Sequence, residues 1–253
     1  MAQQEPKVLT FDVVGTLIDF ETGMLGYLRQ ACGGAAASLD DDTILLAYRR
    51  SRASKAAIRF PDDLVRVYME IAPGLNLPAD SAIAKGFRDS IRCWPAFPDS
   101  VDALKRLRKR YALVAMTNAQ RWSLEHMART LHDPFDDTVT VDETLCDKPD
   151  PAYFAFTRGR LSRDGHGLHD TLHVAQSQYH DIGVARRLGY TVCWIERRKG
   201  RKGSGGTLEV AELTRPDYHF STLAELAEAA EAGTLQVLQT VAKETCDWLA
   251  PKE

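Results

Sequence analysis

The chain has 253 residues, 44% of them hydrophobic and 26% charged, the balance of a globular protein rather than a disordered, fibrous or membrane-embedded one. Lys plus Arg number 32 against 35 Asp plus Glu, a formal net charge of -3, so no overall field draws the chain to nucleic acid or to an anionic membrane surface. No uncharged apolar run approaches the roughly 18 residues of a membrane helix, the opening MAQQEPK does not read as a secretory signal, and five scattered cysteines without a C-x-x-C pair read as reduced thiols. These features point to a cytoplasmic protein.

From the N-terminus, residues 7–11 (KVLTF) form a short apolar, β-rich run that ends on Asp12 and the turn residues Gly15 and Thr16. Similar runs recur at 112–116, 138–141, 171–175, 191–195 and 217–220, with helical spacing between most of them, as at 100–110 and 179–188. Strands alternating with helices, each strand nearly continuous in apolar residues, predict a parallel sheet covered on both faces. Residues 20–98 break the alternation. They carry helix-like stretches at 43–58, 62–71 and 79–90, no convincing strand, and a closing W-P-A-F-P at 94–98. The pattern predicts a core formed by residues 1–19 and 99–253, interrupted by a helical insertion over 20–98. The basic, Gly-rich stretch 197–206 (RRKGRKGSGG) reads as a solvated loop rather than an anion or nucleic-acid loop. The Ala-, Leu- and Glu-rich tail from Thr222 reads as a packing helix.

Ligands of an open parallel sheet gather beyond the carboxyl ends of its strands. The chain places Asp12 and Thr16 there, then Thr117 and Asn118, then Lys148, then the run from Gln176 to Asp181. Asp12 could be a nucleophile that forms an ester for water to cleave, or a turn-former or helix cap. Lys148 lies in D-K-P-D-P, where Pro149 turns it away from helix; near Asp12 it would keep that carboxylate ionised, and alone it would pass for a surface lysine. Thr117 and Asn118 either bind a substrate carboxylate or cap the next helix.

Taken together, D-V-V-G-T-L at 12–17, T-N at 117–118, K-P at 148–149 and Asp181 after a downstream strand stand in the order and approximate spacing of the four motifs of the haloacid dehalogenase superfamily. Essentially the whole chain resembles that superfamily, with the insertion as its cap. V-A-Q-S-Q-Y-H-D at 174–181 and W-P-A-F-P-D-S-V at 94–101 resemble the 2-haloacid dehalogenase branch. The resemblance implies an α/β, Rossmann-like parallel-sheet core with an inserted helical cap, a homodimer, no cofactor, and a small halogenated carboxylate as substrate, with no nucleic-acid or membrane partner. It implies that Asp12 attacks the halogen-bearing α carbon of a short 2-haloacid and that water then releases the 2-hydroxyacid. It puts Lys148 beside Asp12, Thr16 and Asn118 among groups that orient the nucleophile or receive substrate, and Asp181 where it orients Lys148 or activates water. Thr117 stands at a common Ser position and keeps the hydroxyl, and Val13, Gln176 and Ser177 join it around the substrate. Y-R-R at 48–50 resembles the cap's aromatic-Arg pair, which makes Arg49 the expected halide receptor ahead of Arg50 and Arg52. His180 is either a general base, with an ordinary pKa near 6.5, or structural. Phe20, Trp94 and Phe97 are candidate apolar walls.

The departures matter as much. Magnesium-dependent phosphatases of the superfamily carry a second Asp two residues after the nucleophile, where this chain has Val14, and a further carboxylate where it has Gln176. Losing both weakens an oxygen-ligated magnesium site, so no metal ligands are expected, and a halide leaves without needing a proton. The competing readings are a phosphate-ester hydrolase with a degraded magnesium site and a non-enzymatic binding protein. Retention of Asp12, Lys148 and Asp181 together disfavours the second of these. The family's Tyr six residues after the motif Lys is here Phe154, with Tyr153 beside it, and Gln178 stands where Asn is common.

Overall fold

The computed structural model describes residues 3–238. Its core is a six-stranded sheet of β1 (Val8–Phe11), β2 (Ala112–Thr117), β3 (Asp137–Thr140), β4 (Thr171–Ala175), β5 (Thr191–Ile195) and β6 (Tyr218–Phe220), in the order β3-β2-β1-β4-β5-β6. Every neighbouring pair is parallel. All of β1 and β4 is buried, as a parallel strand covered by helices on both faces requires. The connecting helices are α5 (Ser100–Leu107), α6 (Arg121–Thr130), α7 (Pro151–Arg163), α8 (Gly183–Arg187) and α9 (Leu223–Glu231). Of the tail from Thr222, α9 packs on α5, while residues beyond 238 lie outside the described part. Strand order runs outward in opposite directions from β1 and β4, so the crevice between their carboxyl ends is the switch point at which such sheets bind ligands.

Between β1 and α5 lie α1 (Phe20–Cys32), α2 (Asp41–Arg52), α3 (Leu64–Ile71) and α4 (Ser81–Asp89). Asp19, Asp40 and Asp80 cap the starts of α1, α2 and α4 through backbone N–H groups, satisfying donors that a helix start leaves free. The insertion's core is aromatic, with Trp94 in ring contact with Phe20 and Phe60, and Tyr68 with Phe87.

Three local outcomes differ from the sequence pattern. First, α2 stops at Arg52 rather than continuing to 58. The buried carboxylate of Asp63 captures the Ile58 N–H at 3.0 Å along with Arg52 and Arg66, and the Phe60 carbonyl receives the Gln120 N–H at 2.8 Å. Those bonds draw the chain out towards the sheet, and Pro61 keeps the residue before it from helix. Second, the helix expected over 179–188 opens with a π-type turn, Gln178–Ile182, a geometry often found at functional sites. Third, the basic stretch 197–206 is not simply solvated. Arg197 pairs with Asp99 at 2.8 Å, donates to the Thr16 carbonyl at 2.9 Å and lies over the Phe97 ring at 4.2 Å. Arg198 reaches Glu21 and Asp42 of the insertion. The stretch is a strap between the sheet and the inserted helices.

Candidate active site

Asp12 is the first residue after β1, and its N–H donates to the Val174 carbonyl of β4 at 3.0 Å. The carbonyl of Val13 then receives the N–H groups of Leu17 and Ile18 at 2.9 and 3.0 Å. This tight turn needs the positive φ of +88° that Gly15 adopts. The turn brings the Thr16 hydroxyl back onto Asp12 Oδ2 at 2.6 Å. The same hydroxyl oxygen accepts the Gln176 N–H at 2.9 Å, tying the end of β4 to the carboxylate.

Lys148 enters from the other side. Its ammonium is 1% exposed, and its three donors meet Asp12 Oδ1 at 2.9 Å, Asp181 Oδ1 at 2.6 Å and the Met116 carbonyl at 2.8 Å. Asn118 fixes its backbone: Asn118 Oδ1 accepts the Lys148 N–H at 2.7 Å and Nδ2 donates to the Lys148 carbonyl at 2.8 Å. Both ends of that amide are engaged, so the Asn118 side chain brackets Lys148. Thr117 Oγ accepts the Ala119 N–H at 3.2 Å, which leaves its own hydroxyl proton for the cavity.

Two carboxylates thus share one buried ammonium. Burial pushes Asp12 above the ordinary carboxylate range, against the pull of Lys148, and a less hydrated carboxylate is a stronger base and nucleophile. Burial also opposes the charge on Asp181, but Lys148 and a hydrogen bond from His173 outweigh it and hold that carboxyl at about 2. Lys148 is raised because its two carboxylates overcome its own burial. Asp181 Oδ2 has no hydrogen-bond partner among the described residues. His180 is pushed down by burial to about 4, so it is a neutral acceptor at neutral pH; its Nδ1 lies 3.1 Å from Ser177 Oγ, which accepts the His180 N–H at 3.0 Å.

These groups open on a cavity of about 130 Å³, below the roughly 300–1,000 Å³ of sites for drug-sized ligands. Its polar side is formed by Asp12, Thr117, Asn118, Lys148, Gln176, Ser177, His180 and Asp181, and its apolar side by Val14, Phe20, Tyr48, Phe60, Ala119 and Leu208. Among the described residues no group of three or more His, Cys, Asp or Glu side chains could hold a metal ion. The haloacid dehalogenase-like hydrolase family matches residues 6–189.

The chain belongs to that family. Among its curated relatives, the (S)-2-haloacid dehalogenase of Pseudomonas fluorescens is 24% identical over 191 residues, 74% of this chain and 65% of that protein. The chain therefore spans just under two thirds of that relative. The (S)-2-haloacid dehalogenase 2 of Pseudomonas sp. strain CBS-3 is 25% identical over 236 residues, 88% of this chain and 95% of its own. The L-2-haloacid dehalogenase from Xanthobacter autotrophicus, solved with chloropropionic acid covalently bound, superposes with a TM-score of 0.72 at 19% identity, covering 89% of this chain and 98% of that one. At that identity the likeness is one of fold.

Measured against the sequence reading of this haloacid dehalogenase-like chain, eight of the expected residues face the cavity, and Thr16 acts from behind through Asp12. Val13 does not face it; its side chain is fully buried and its contribution is the carbonyl that closes the turn. Arg49 is not there either. It donates to the Gly205 carbonyl at 3.2 Å and pairs with Glu209 at 3.0 Å, whereas Arg52 lines the cavity. The reason is helical geometry: Tyr48 and Arg52 are four apart and share a face, while Arg49 is turned away from it. Phe20 is a wall, Trp94 is buried behind it, and Phe97 lies beneath Arg197. Tyr153 offers no phenol to the cavity, because its Oη sits 2.9 and 2.7 Å from the carbonyls of Thr117 and Val139. Gln178 engages the backbone of Thr214.

The strap residues Gly206, Thr207 and Leu208 also line the cavity and were not anticipated. Thr207 Oγ donates to Gln176 Oε1 at 3.2 Å. A Cβ at Gly206 would lie 2.7 Å from the Phe20 ring, so only glycine lets the strap come this close. The adjacent glycines Gly205 and Gly206 were the available signal.

Proposed function

We propose that the protein hydrolyses short 2-haloacids to 2-hydroxyacids, without a metal, through an ester on Asp12. The observation that carries this reading is a desolvated Asp12, held by Lys148 and Thr16 in a small cavity where Val14 and Gln176 replace the carboxylates of a magnesium site. Asp12 attacks the α carbon, the carbon–halogen bond breaks with its electron pair, and the halide leaves towards Arg52 over the Phe60 ring, 5.6 Å from the guanidinium. The Thr117 hydroxyl receives the substrate carboxylate. Water next attacks Cγ of Asp12, held by Asp181 Oδ2, and gives its proton to neutral His180, the more basic of the two groups. The ester's Cγ–O bond breaks, the departing alkoxide takes that proton from His180, and Asp12, now carrying one oxygen and the remaining proton of the water, releases that proton to solvent and is restored as a carboxylate. The same reading places the enzyme in the cytoplasm as a homodimer.

Purified protein incubated in EDTA with chloroacetate, fluoroacetate and 2-chloropropionate should release halide. Absence of halide across that panel, together with magnesium-stimulated cleavage of an aryl phosphate, would give the site to the phosphate-ester reading instead. For the halide receptor, Arg52→Leu should lower kcat/KM by about 10²–10³, the usual loss when one preorganised donor to a developing charge is removed. Arg49→Leu should stay within roughly tenfold of wild type. Steady-state halide release from both folded variants decides which arginine is used.

A further inference from the structure

His173 stands in the middle of β4, in an otherwise apolar strand, and is completely buried. A buried imidazole needs both nitrogens satisfied, and here each has one partner: Nδ1 lies 2.9 Å from Thr10 Oγ and Nε2 lies 3.1 Å from Asp181 Oδ1. Thr10 and His173 are directly paired residues of adjacent strands. Thr10 is two residues before Asp12 and so points to the same side of β1. The rings of Phe154 and Tyr190 meet the imidazole edge-on at 5.6 and 6.2 Å and fix its orientation. An ionised Asp181 can only accept, so the network assigns the proton to Nε2 and leaves Nδ1 to accept from Thr10. Asp181 Oδ1 then receives two donors, Lys148 Nζ and His173 Nε2, while Oδ2 receives none.

We infer that His173 is a positioning residue for the hydrolytic half of the reaction: held by Thr10, it pins Oδ1 of Asp181 beside Lys148 and so reserves Oδ2 for the attacking water. The inference rests on the ester hydrolysis proposed above. Formation of the ester depends on Asp12, Thr16 and Lys148, whereas the hydrogen bonds of His173 go to Thr10 and Asp181, so the two half-reactions should respond differently to its loss. Breakdown of the ester should slow, and its formation should not.

The test is single-turnover mixing of the full-length protein with 2-chloropropionate, with intact-protein mass spectrometry of the ester. His173→Phe keeps an aromatic ring but removes both bonds. Ester breakdown should slow by roughly tenfold to a hundredfold, the loss seen when an outer hydrogen-bond partner of a functional group is removed, with ester formation within about threefold and the ester accumulating. His173→Gln, which retains an N–H near the Nε2 position, should recover most of the lost rate. Equal slowing of both steps, no slowing of breakdown, or no recovery in H173Q overturns the inference. If H173F does not fold, Thr10→Val takes its place: several-fold slower breakdown is expected, and an unchanged rate counts against the role. A second readout separates this inference from the functional reading. Carboxyl-carbon NMR should show Asp181 titrating at higher pH in H173F or T10V than in wild type. If wild type forms no ester but this shift occurs, the substrate is wrong and the positioning stands; if the titration does not move, the positioning falls whatever the substrate.

Discussion

Asp12→Asn is expected to abolish halide release, by at least about 10⁴-fold, the scale at which removal of a nucleophile acts in enzymes with covalent intermediates. No ester should appear on the protein in the mass spectrum. An amide has almost the same shape: its one oxygen can accept from the Lys148 ammonium where Oδ1 does now, while its NH2 donates to the Thr16 hydroxyl oxygen where Oδ2 now accepts, so the loss is chemical rather than architectural. Stability should move the other way. Burial pushes the Asp12 carboxyl above its ordinary range, which means that its ionised form is disfavoured in the folded protein, a cost in stability that builds as pH rises past the ordinary carboxylate range and is complete above the folded pKa. Asp12→Asn removes that cost and leaves Lys148 in a neutral pair with Asp181, so the melting temperature at pH 7 should equal or exceed that of wild type. A variant with normal turnover, or one that melts several degrees lower, contradicts the assignment.

Lys148→Met should be the converse, losing both activity and stability. It leaves two buried carboxylates bonded to nothing positive, and removing one partner of a buried ion pair typically costs about 3–5 kcal/mol. For a chain of this size each kcal/mol moves the melting temperature by roughly 2–4 °C, so a fall of about 6–20 °C is expected. In wild type, Asp181 is held at about 2, below its unfolded value of roughly 3.9. Its stabilisation is therefore fully present above about pH 4 and lost as pH falls through 2. Without Lys148 the carboxylates repel, and one takes a proton at higher pH, so the deficit relative to wild type should be larger at pH 7 than at pH 5. Urea midpoints at both values test this, and a deficit that does not vary with pH would mean that the ammonium's charge is not what holds the site.

The four inner strands β1, β2, β4 and β5 were legible as apolar runs because a parallel strand buried on both faces leaves a continuous signal, the part-exposed edge strands β3 and β6 through their β-branched and aromatic residues, and Asp12, Lys148 and Asp181 stood out because strand ends concentrate function. What escaped depended on rotation and distance. Choosing Arg49 followed adjacency in Y-R-R, whereas the structure obeys the i,i+4 geometry that groups Arg52 with Tyr48. The early end of α2 is imposed by Asp63, eleven residues past Arg52, whose carboxylate is buried with three partners. No local propensity encodes that bond. The strap defeated the reading most fully, since a basic Gly-rich stretch looks solvated until Asp99, Glu21 and Phe97 are brought against it.

That strap separates two properties that most active sites entangle. Asp12, Lys148, Asp181 and His173 are set by strand register and buried hydrogen bonds, whereas Gly206, Thr207 and Leu208 reach the cavity from the loop between β5 and β6. Surface loops accept changes of length and sequence far more readily than a buried sheet does. On the proposed function, the range of acids admitted can therefore drift, by selection or by design, through the side chains at Thr207 and Leu208, while Gly206, packed on Phe20, and Arg197, bonded to the Thr16 carbonyl, stay as they are.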